Sequence, residues 1–280
     1  MIADLHCHTK MSDGSTGIDE LVFIAKKRGV QTISVTDHDT FAGYVRAKVF
    51  GEKHGVEVLS GIELSGFDYK RNKNVHIIGY LCDNTDRLEG LCKKIGEIRK
   101  KALVTMLQKV MRVYSIFPEM VMRRAQGSTN IFEAHIMHAL IDSGYTNSFF
   151  GSVYNKLFNK KTGLAYIQAA YPDVHYLIEQ IHGAGGLAVL AHPGFFDNYE
   201  LLEELASRGL DGVEVWHPKN KQGDEKIFID IAQKYGLVMT GGTDFHGMYV
   251  EVPHPLATCV TPPDQLEALK NLKKVKRSRF

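Results

Sequence analysis

Nowhere does the sequence hold a run approaching the roughly 18 apolar residues of a membrane-spanning helix, which argues against an integral membrane protein. Cysteine is sparse. Cys7, Cys82, Cys92 and Cys259 show no paired spacing, so free thiols in a reducing cytoplasm are expected rather than a disulfide framework. No internal repeat and no low-complexity linker divides the chain. An informative motif already begins at Asp4, which leaves no room for a signal peptide. With 280 residues, 44% of them hydrophobic, and a mean hydropathy of −0.17, the composition fits a soluble globular protein of one domain with an insertion.

Charge is nearly balanced but unevenly placed. The total is +2, residues 273–280 carry five cations and no anion, and residues 87–165 carry thirteen Lys/Arg against five Asp/Glu. The remainder is therefore at −11. The basic terminus reads as a solvated tail, with attraction to nucleic acid the weaker alternative. The basic segment 87–165 is more informative, because clustered positive charge attracts phosphates.

What the chain does hold is histidine and carboxylate at recurring places. His6 and His8 follow a short apolar run and, by strand alternation, project to the same side. Two imidazoles on one strand end make half of a metal site, although a lone pair is more often structural. The other candidates reverse those odds. Asp13 lies in the turn after the first strand, and His38 follows Thr32–Thr36 between Asp37 and Asp39. Glu63 follows Val56–Ile62, and His76 sits in the run Val75–Tyr80. His192 follows Gly186–Ala191, His217 follows Gly212–Trp216, and Asp244 and His246 follow Leu237–Gly242. A parallel α/β barrel gathers such residues at the C-terminal ends of its strands, where active sites lie. Cys7 points the other way and reads as a buried hydrophobe. His54, His175, His182 and His254 stand in helical or loop contexts and read as structural or solvated.

Strand–helix alternation runs as far as Tyr80. Ile18, Leu21, Val22 and Ala25 mark a helix, with Asp13-Gly14-Ser15 expected to cap it. From about Arg87 the alternation stops. Leu88 to Val110 recur at helical spacing, a second helix is expected around Phe132–Ile141, and a third around Phe149–Phe158. The alternation resumes with a helix over Asp173–Ala184 and a strand over Leu187–Leu190. Residues 1–86 and 166–280 are read as a barrel, and 87–165 as a helical cap over its mouth.

Taken in order, His-x-His, Thr-x-x-Ser-Asp-Gly-Ser, Thr-Asp-His-Asp, Gly-Ile-Glu, Ala-His-Pro-Gly and Gly-Gly-Thr-Asp-Phe-His-Gly resemble the PHP (polymerase and histidinol phosphatase) family, in its stand-alone phosphoesterase branch. That resemblance implies a distorted (β/α)7 barrel and two or three divalent transition-metal ions. By matching position, His6, His8, Glu63 and Asp244 would hold one ion. Asp13, His38 and His246 would hold a second, and Glu63, His76 and His192 a third, with Glu63 bridging. Mixed imidazole and carboxylate ligands suit Mn, Fe or Zn. Asp37 or Asp39 is expected to orient a ligating histidine.

The implied chemistry is in-line attack on phosphorus by a hydroxide bridging two metals, with Asp13, His38, Asp244 and His246 carrying catalysis. The favoured substrate is a nucleotide or nucleoside 3′,5′-bisphosphate. A five-membered cyclic sugar phosphate and the 5′ end of short RNA are the alternatives. Two rival classes remain: an amidohydrolase acting on C–N bonds, which would need a strand-end lysine absent here, and a non-catalytic module. Where the relatives resemble Gly-Arg-Pro-His-x-Ala-Arg-Ala-Leu, this chain keeps the histidine as His135 but has Glu133 and His138 in place of the arginines. After the sixth strand, where the relatives resemble His-Pro-Ser-His-Ser, this chain has His217-Pro218-Lys219-Asn220-Lys221, so that Lys219 and Lys221 each replace a serine. His135, Arg99, His217 and Lys219 are therefore the expected substrate contacts.

Overall fold

Seven strands follow one another round a single sheet in chain order. The structure is a computed structural model and describes residues 1–278. The strands are β1 (Ala3–Cys7), β2 (Thr32–Val35), β3 (Glu57–Asp68), β4 (Lys73–Tyr80), β5 (Leu187–Leu190), β6 (Gly212–Trp216) and β7 (Val238–Gly241). The segment after β7 returns to β1, where Phe245 N–H donates to His6 O at 3.2 Å and His8 N–H to Phe245 O at 2.8 Å. The sheet is thus a nearly closed, distorted (β/α)7 barrel. Gly242 permits that closure, because a Cβ there would lie 2.4 Å from the Cβ of His6.

The helices are α1 (Ile18–Lys27), α2 (Tyr44–His54), α3 (Asp86–Met111), α4 (Pro118–Arg124), α5 (Glu133–Asp142), α6 (Ser152–Phe158), α7 (Val174–Gly183), α8 (Tyr199–Ala206), α9 (Asp224–Tyr235) and α10 (Pro263–Arg277). Expected helices α3, α5, α6 and α7 form. The short α4, opened by Pro118 at its first turn, has too little periodicity to be read from sequence. Helix α1 starts after Gly17, so the expected cap at Asp13-Gly14-Ser15 does not form and Asp13 is left to the site.

The simple alternation breaks at one place. β3 pairs antiparallel with β4, and β4 antiparallel with β5, while all other neighbours are parallel. Only residues 69–72 link β3 to β4, and so short a connection makes a hairpin, never a parallel crossover. His76 therefore reaches the site from a reversed strand. Glu63 also lies mid-strand, because β3 continues to Asp68 past the end of its neighbour β2 at Val35.

Buried side chains of β1, β3, β4, β5 and β7 form one cluster, including Leu5, Leu59, Ile78, Tyr80, Leu187, Val189 and Val238, closed off by Leu266 and Leu269 of α10. Helices α3, α4 and α5 share a second cluster with β3, β4, α7 and α8, so the inserted helices pack into the barrel's own outer layer. The basic terminus is not a solvated tail. Leu266, Leu269 and Lys273 are buried, and Lys273 and Arg277 pair with Asp83 while Lys276 pairs with Asp211. Burial of one apolar face made the run helical, and nearby carboxylates hold its charges. Arg279 and Phe280 lie outside the described residues. The four cysteines are unpaired, and among the described residues no helix is long and apolar enough to cross a membrane.

Candidate metal centre

Nine side chains converge at the barrel mouth, and Glu63 lies at their centre. Its Oε1 lies 2.9 Å from His76 Nδ1 and 2.9 Å from His192 Nε2. Its Oε2 lies 3.4 Å from His6, 3.2 Å from His8 and 3.2 Å from His38. One buried carboxylate thus faces five imidazoles. Asp244 Oδ1 closes the other flank, 3.5 Å from His6, 3.2 Å from His8 and 3.4 Å from His246. Asp13 stands 3.4 Å from His246 and 3.7 Å from His38. The sequence candidates fall into overlapping sets: His8, Asp13, His38 and His246; His6, His8 and Asp244; His6, Glu63 and His192; His38, Glu63 and His76. Within each set the donor atoms lie within 4.8 Å of one another.

This donor set fits metal ions. Asp13 Oδ1 and His38 Nδ1 are buried with no hydrogen-bond partner, which is costly unless an ion is meant to fill the gap. Protonation points the same way. Burial would raise Glu63, Asp13 and Asp244, but the surrounding histidines outweigh it and hold all three well below the carboxylate range. Burial keeps His38 and His76 low and neutral. Both are the forms that bind metal. For His8, burial is outweighed by Asp244 and Glu63, and the ring rises to about 10; an incoming ion must displace that proton.

Strand ends aim these groups by bending sharply. His192 has φ +27° and Asp244 φ +51°, conformations that cost non-glycine residues about 1–3 kcal/mol. Buried carboxylates hold the bends. Glu214 accepts from the His192 backbone N–H at 2.9 Å and from His6 Nδ1 at 2.9 Å. Asp4 accepts from Thr243 N–H at 2.9 Å and Thr243 Oγ1 at 2.6 Å.

Glu214 was missed as a functional residue in the sequence, although a carboxylate in the apolar run Gly212–Trp216 was a visible signal. Among the described residues neither Asp37 nor Asp39 bonds a histidine directly, but Asp37 reaches His8 through Ser12, whose Oγ lies 2.6 Å from Asp37 and 3.5 Å from His8 Nδ1. Asp37 binds Thr9 and Ser12, while Asp39 binds Ser65 and Arg99.

The expected substrate contacts divide. His135 is buried, with Nδ1 accepting from Phe132 N–H at 3.2 Å, and burial pushes it down to about 4. It is therefore a neutral ring with its proton on Nε2. Lys219 is exposed at the rim, its Nζ 4.2 Å above the Phe195 ring. His217 does not stand at the rim as expected. It is buried, receives the Lys219 N–H at 3.2 Å and lies 3.3 Å from Asp244, because Asn220, bonded to Val215 O, folds the loop inward. Arg99 is only 11% exposed and is anchored to Asp39 at 2.7 Å and Ser65 at 2.6 Å, beside the Phe132 and Tyr171 rings. Lys221 is engaged by Asp197. Cys7 packs behind β1 among Leu21, Val22 and Ile33.

Comparison with known proteins agrees with this geometry. The model of the PHP domain matches residues 4–182. A phosphoribosyl 1,2-cyclic phosphate 1,2-diphosphodiesterase of Eggerthella lenta is 37% identical over 91% of this chain and 97% of its own. A 3′,5′-nucleoside bisphosphate phosphatase of Chromobacterium violaceum is 29% identical over 87% of this chain and 86% of its own. A solved structure from Bifidobacterium adolescentis, assigned as a metal-dependent phosphoesterase, superposes with a TM-score of 0.87 at 28% identity, covering 95% of this chain and 94% of the other.

Proposed function

The chain belongs to the PHP domain family and is a metal-dependent phosphoesterase, and within that activity we propose that it hydrolyses a five-membered cyclic phosphodiester on a phosphorylated sugar. The observation that carries this reading is the 37% identity, over nearly the full length of both chains, to an enzyme named for such a substrate. The cap supports it. Glu133, tied to Tyr154 Oη at 2.7 Å, and His138, tied to Tyr249 Oη at 2.8 Å, occupy the positions where the family resemblance places arginines. Neither can offer a bidentate guanidinium to a nucleotide phosphate.

His6, His8, Glu63 and Asp244 would hold one ion, Asp13, His38 and His246 a second, and Glu63, His76 and His192 a third, drawn from Mn, Fe or Zn. Such ions supply a nucleophile at neutral pH and neutralise charge developing on the phosphate oxygens. The chain's own part is placement. Asp244 is steered by His217 and His6 by Glu214. His135, neutral and fixed by Phe132, donates its Nε2 proton in a hydrogen bond to a phosphate oxygen, and Lys219 adds charge at the rim. Arg99 acts through Asp39, holding helix α3 against the segment that carries His38. Residues 87–165 serve as the cap that encloses the substrate; Ser128 and Thr129 bind Ser12 O and Met11 O at 2.7 and 3.0 Å, tying that cap to the Asp13 turn.

A nucleoside 3′,5′-bisphosphate is the second reading. Phe195, 47% exposed beside His192 and with Lys219 Nζ 4.2 Å over one face of its ring, offers aromatic surface for a base. The test is a phosphate-release and phosphorus NMR screen over phosphoribosyl 1,2-cyclic phosphate, adenosine 3′,5′-bisphosphate and a 5′-phosphorylated oligoribonucleotide. The cyclic ester should give the highest kcat/KM by at least about tenfold, or about 1.4 kcal/mol. Efficient turnover of the bisphosphate with none of the cyclic ester rejects the proposal in favour of the second reading.

A further inference from the structure

Beside the Asp13 turn lies a cleft of about 450 Å³ between barrel and cap. Its wall carries Lys10 from the barrel, Arg123, Arg124, His135 and His138 from the cap, and Tyr249 from the loop beyond His246. No aspartate or glutamate lines it. That is unusual beside a barrel whose own charge is strongly negative. Two of the polar groups are committed. Arg124 gives both arms of its fork to Asp142, at 2.7 and 2.6 Å, and His138 bonds Tyr249. Lys10 and Arg123 are exposed, and among the described residues neither has an ion-pair partner. They face a concave site whose floor, Gly14 and Ser15, directly follows Asp13.

Cations without carboxylates, gathered in a cleft that adjoins the phosphoesterase centre through the bond of its Ser15 N–H to the His246 backbone O at 3.0 Å, are suited to an anion that does not react. We propose that Lys10 and Arg123 bind a second phosphate of the substrate, one that stays intact while the other reacts at the metal centre. This rests on the phosphoesterase reading of the centre but not on which ester is cleaved. It gives the inserted helices a chemical role: they bring Arg123 to a phosphate that the barrel alone meets only with Lys10. It also accounts for the arginine positions replaced by Glu133 and His138, since Arg123 supplies a guanidinium from α4 instead of α5.

The test compares holoenzyme kinetics on substrates differing only in that phosphate. One pair is phosphoribosyl 1,2-cyclic phosphate against ribose 1,2-cyclic phosphate; the other is adenosine 3′,5′-bisphosphate against adenosine 3′-monophosphate. The readout is the ratio of kcat/KM within each pair. Lys10→Gln and Arg123→Gln should each lower that ratio about ten- to a hundredfold, as expected for a lost charge-assisted contact, and mostly through KM. Arg123→Glu should lower it further, and Arg123→Lys should restore part of it. Both side chains are exposed, so folding is not at stake. A ratio unchanged in all four variants overturns the proposal, as does a loss shared equally by both members of a pair, which marks damage to the metal centre. Absence of turnover of either pair by the unaltered enzyme defeats the functional reading and this inference with it; turnover with an unchanged ratio defeats this inference alone.

Discussion

Glu214 on β6 accepts a hydrogen bond from His6 Nδ1 on β1 at 2.9 Å, with both side chains fully buried. Its other oxygen holds the backbone N–H of His192. A single carboxylate therefore fixes the ring of one candidate ligand and the strained bend of another. Glu214→Gln can accept with only one oxygen and presents an amide NH2 to the other donor. It should weaken metal retention or activity about 10- to 100-fold. Metal content after dialysis, read with kcat/KM, checks this, and values equal to the unaltered protein would remove Glu214 from the site.

Asp244→Asn and His38→Ala should reduce turnover to background while the barrel remains folded. Asparagine tolerates the positive φ of Asp244, so that variant separates chemistry from folding. Near-normal phosphatase rates with intact circular dichroism in either variant would refute the ligand assignment.

Chelation should abolish activity, and restoring Mn, Fe or Zn should recover it. Elemental analysis after metal-supplemented expression is expected to find two or three ions per chain. Less than one ion per chain counts against the centre as assigned.

Arg99→Met should destabilise the fold by about 3 kcal/mol, because it leaves Asp39, whose side chain is 4% exposed, buried without its cation. Urea unfolding measures this, and Asp39→Asn added to Arg99→Met should recover part of the loss. A change under about 1 kcal/mol would match a surface pair instead.

Glu204 on α8 accepts from Arg71 at 2.7 Å and Lys70 at 3.0 Å. The Arg71 and Lys70 contacts lower its pKa from 4.5 to about 2. A folded-state value below the unfolded one means stability that is present above pH 4.5 and lost as pH falls toward 2. Much of this network faces solvent, so Glu204→Gln should cost only about 1 kcal/mol at neutral pH. The difference from the unaltered protein should close as acid is added; a difference that persists at the acid end would assign the effect to packing.

The sequence by itself determined the candidate ligand types and their order. His6 and His8 alternate onto one face, and carboxylates and histidines recur in or just after apolar runs, so the members of the candidate cluster were legible residue by residue. Helices α3, α5 and α6 were legible for the same reason, since periodicity is a local property. Only the tertiary structure decided which distant residues meet. Glu214 lies 208 positions from His6, and nothing local in Gly212–Trp216 says which histidine its carboxylate will face. The reversal of β4 came from a four-residue connection, and the helical end of the chain from burial of Leu266 and Leu269 against the barrel. Arg99 carries the same charge as its neighbours on α3, yet packing sends it inward to Asp39 while Lys100 and Lys101 stay in solvent. Periodicity states which face of an element is buried; which charge is paired and which is left open for a ligand depends on what packs against that face.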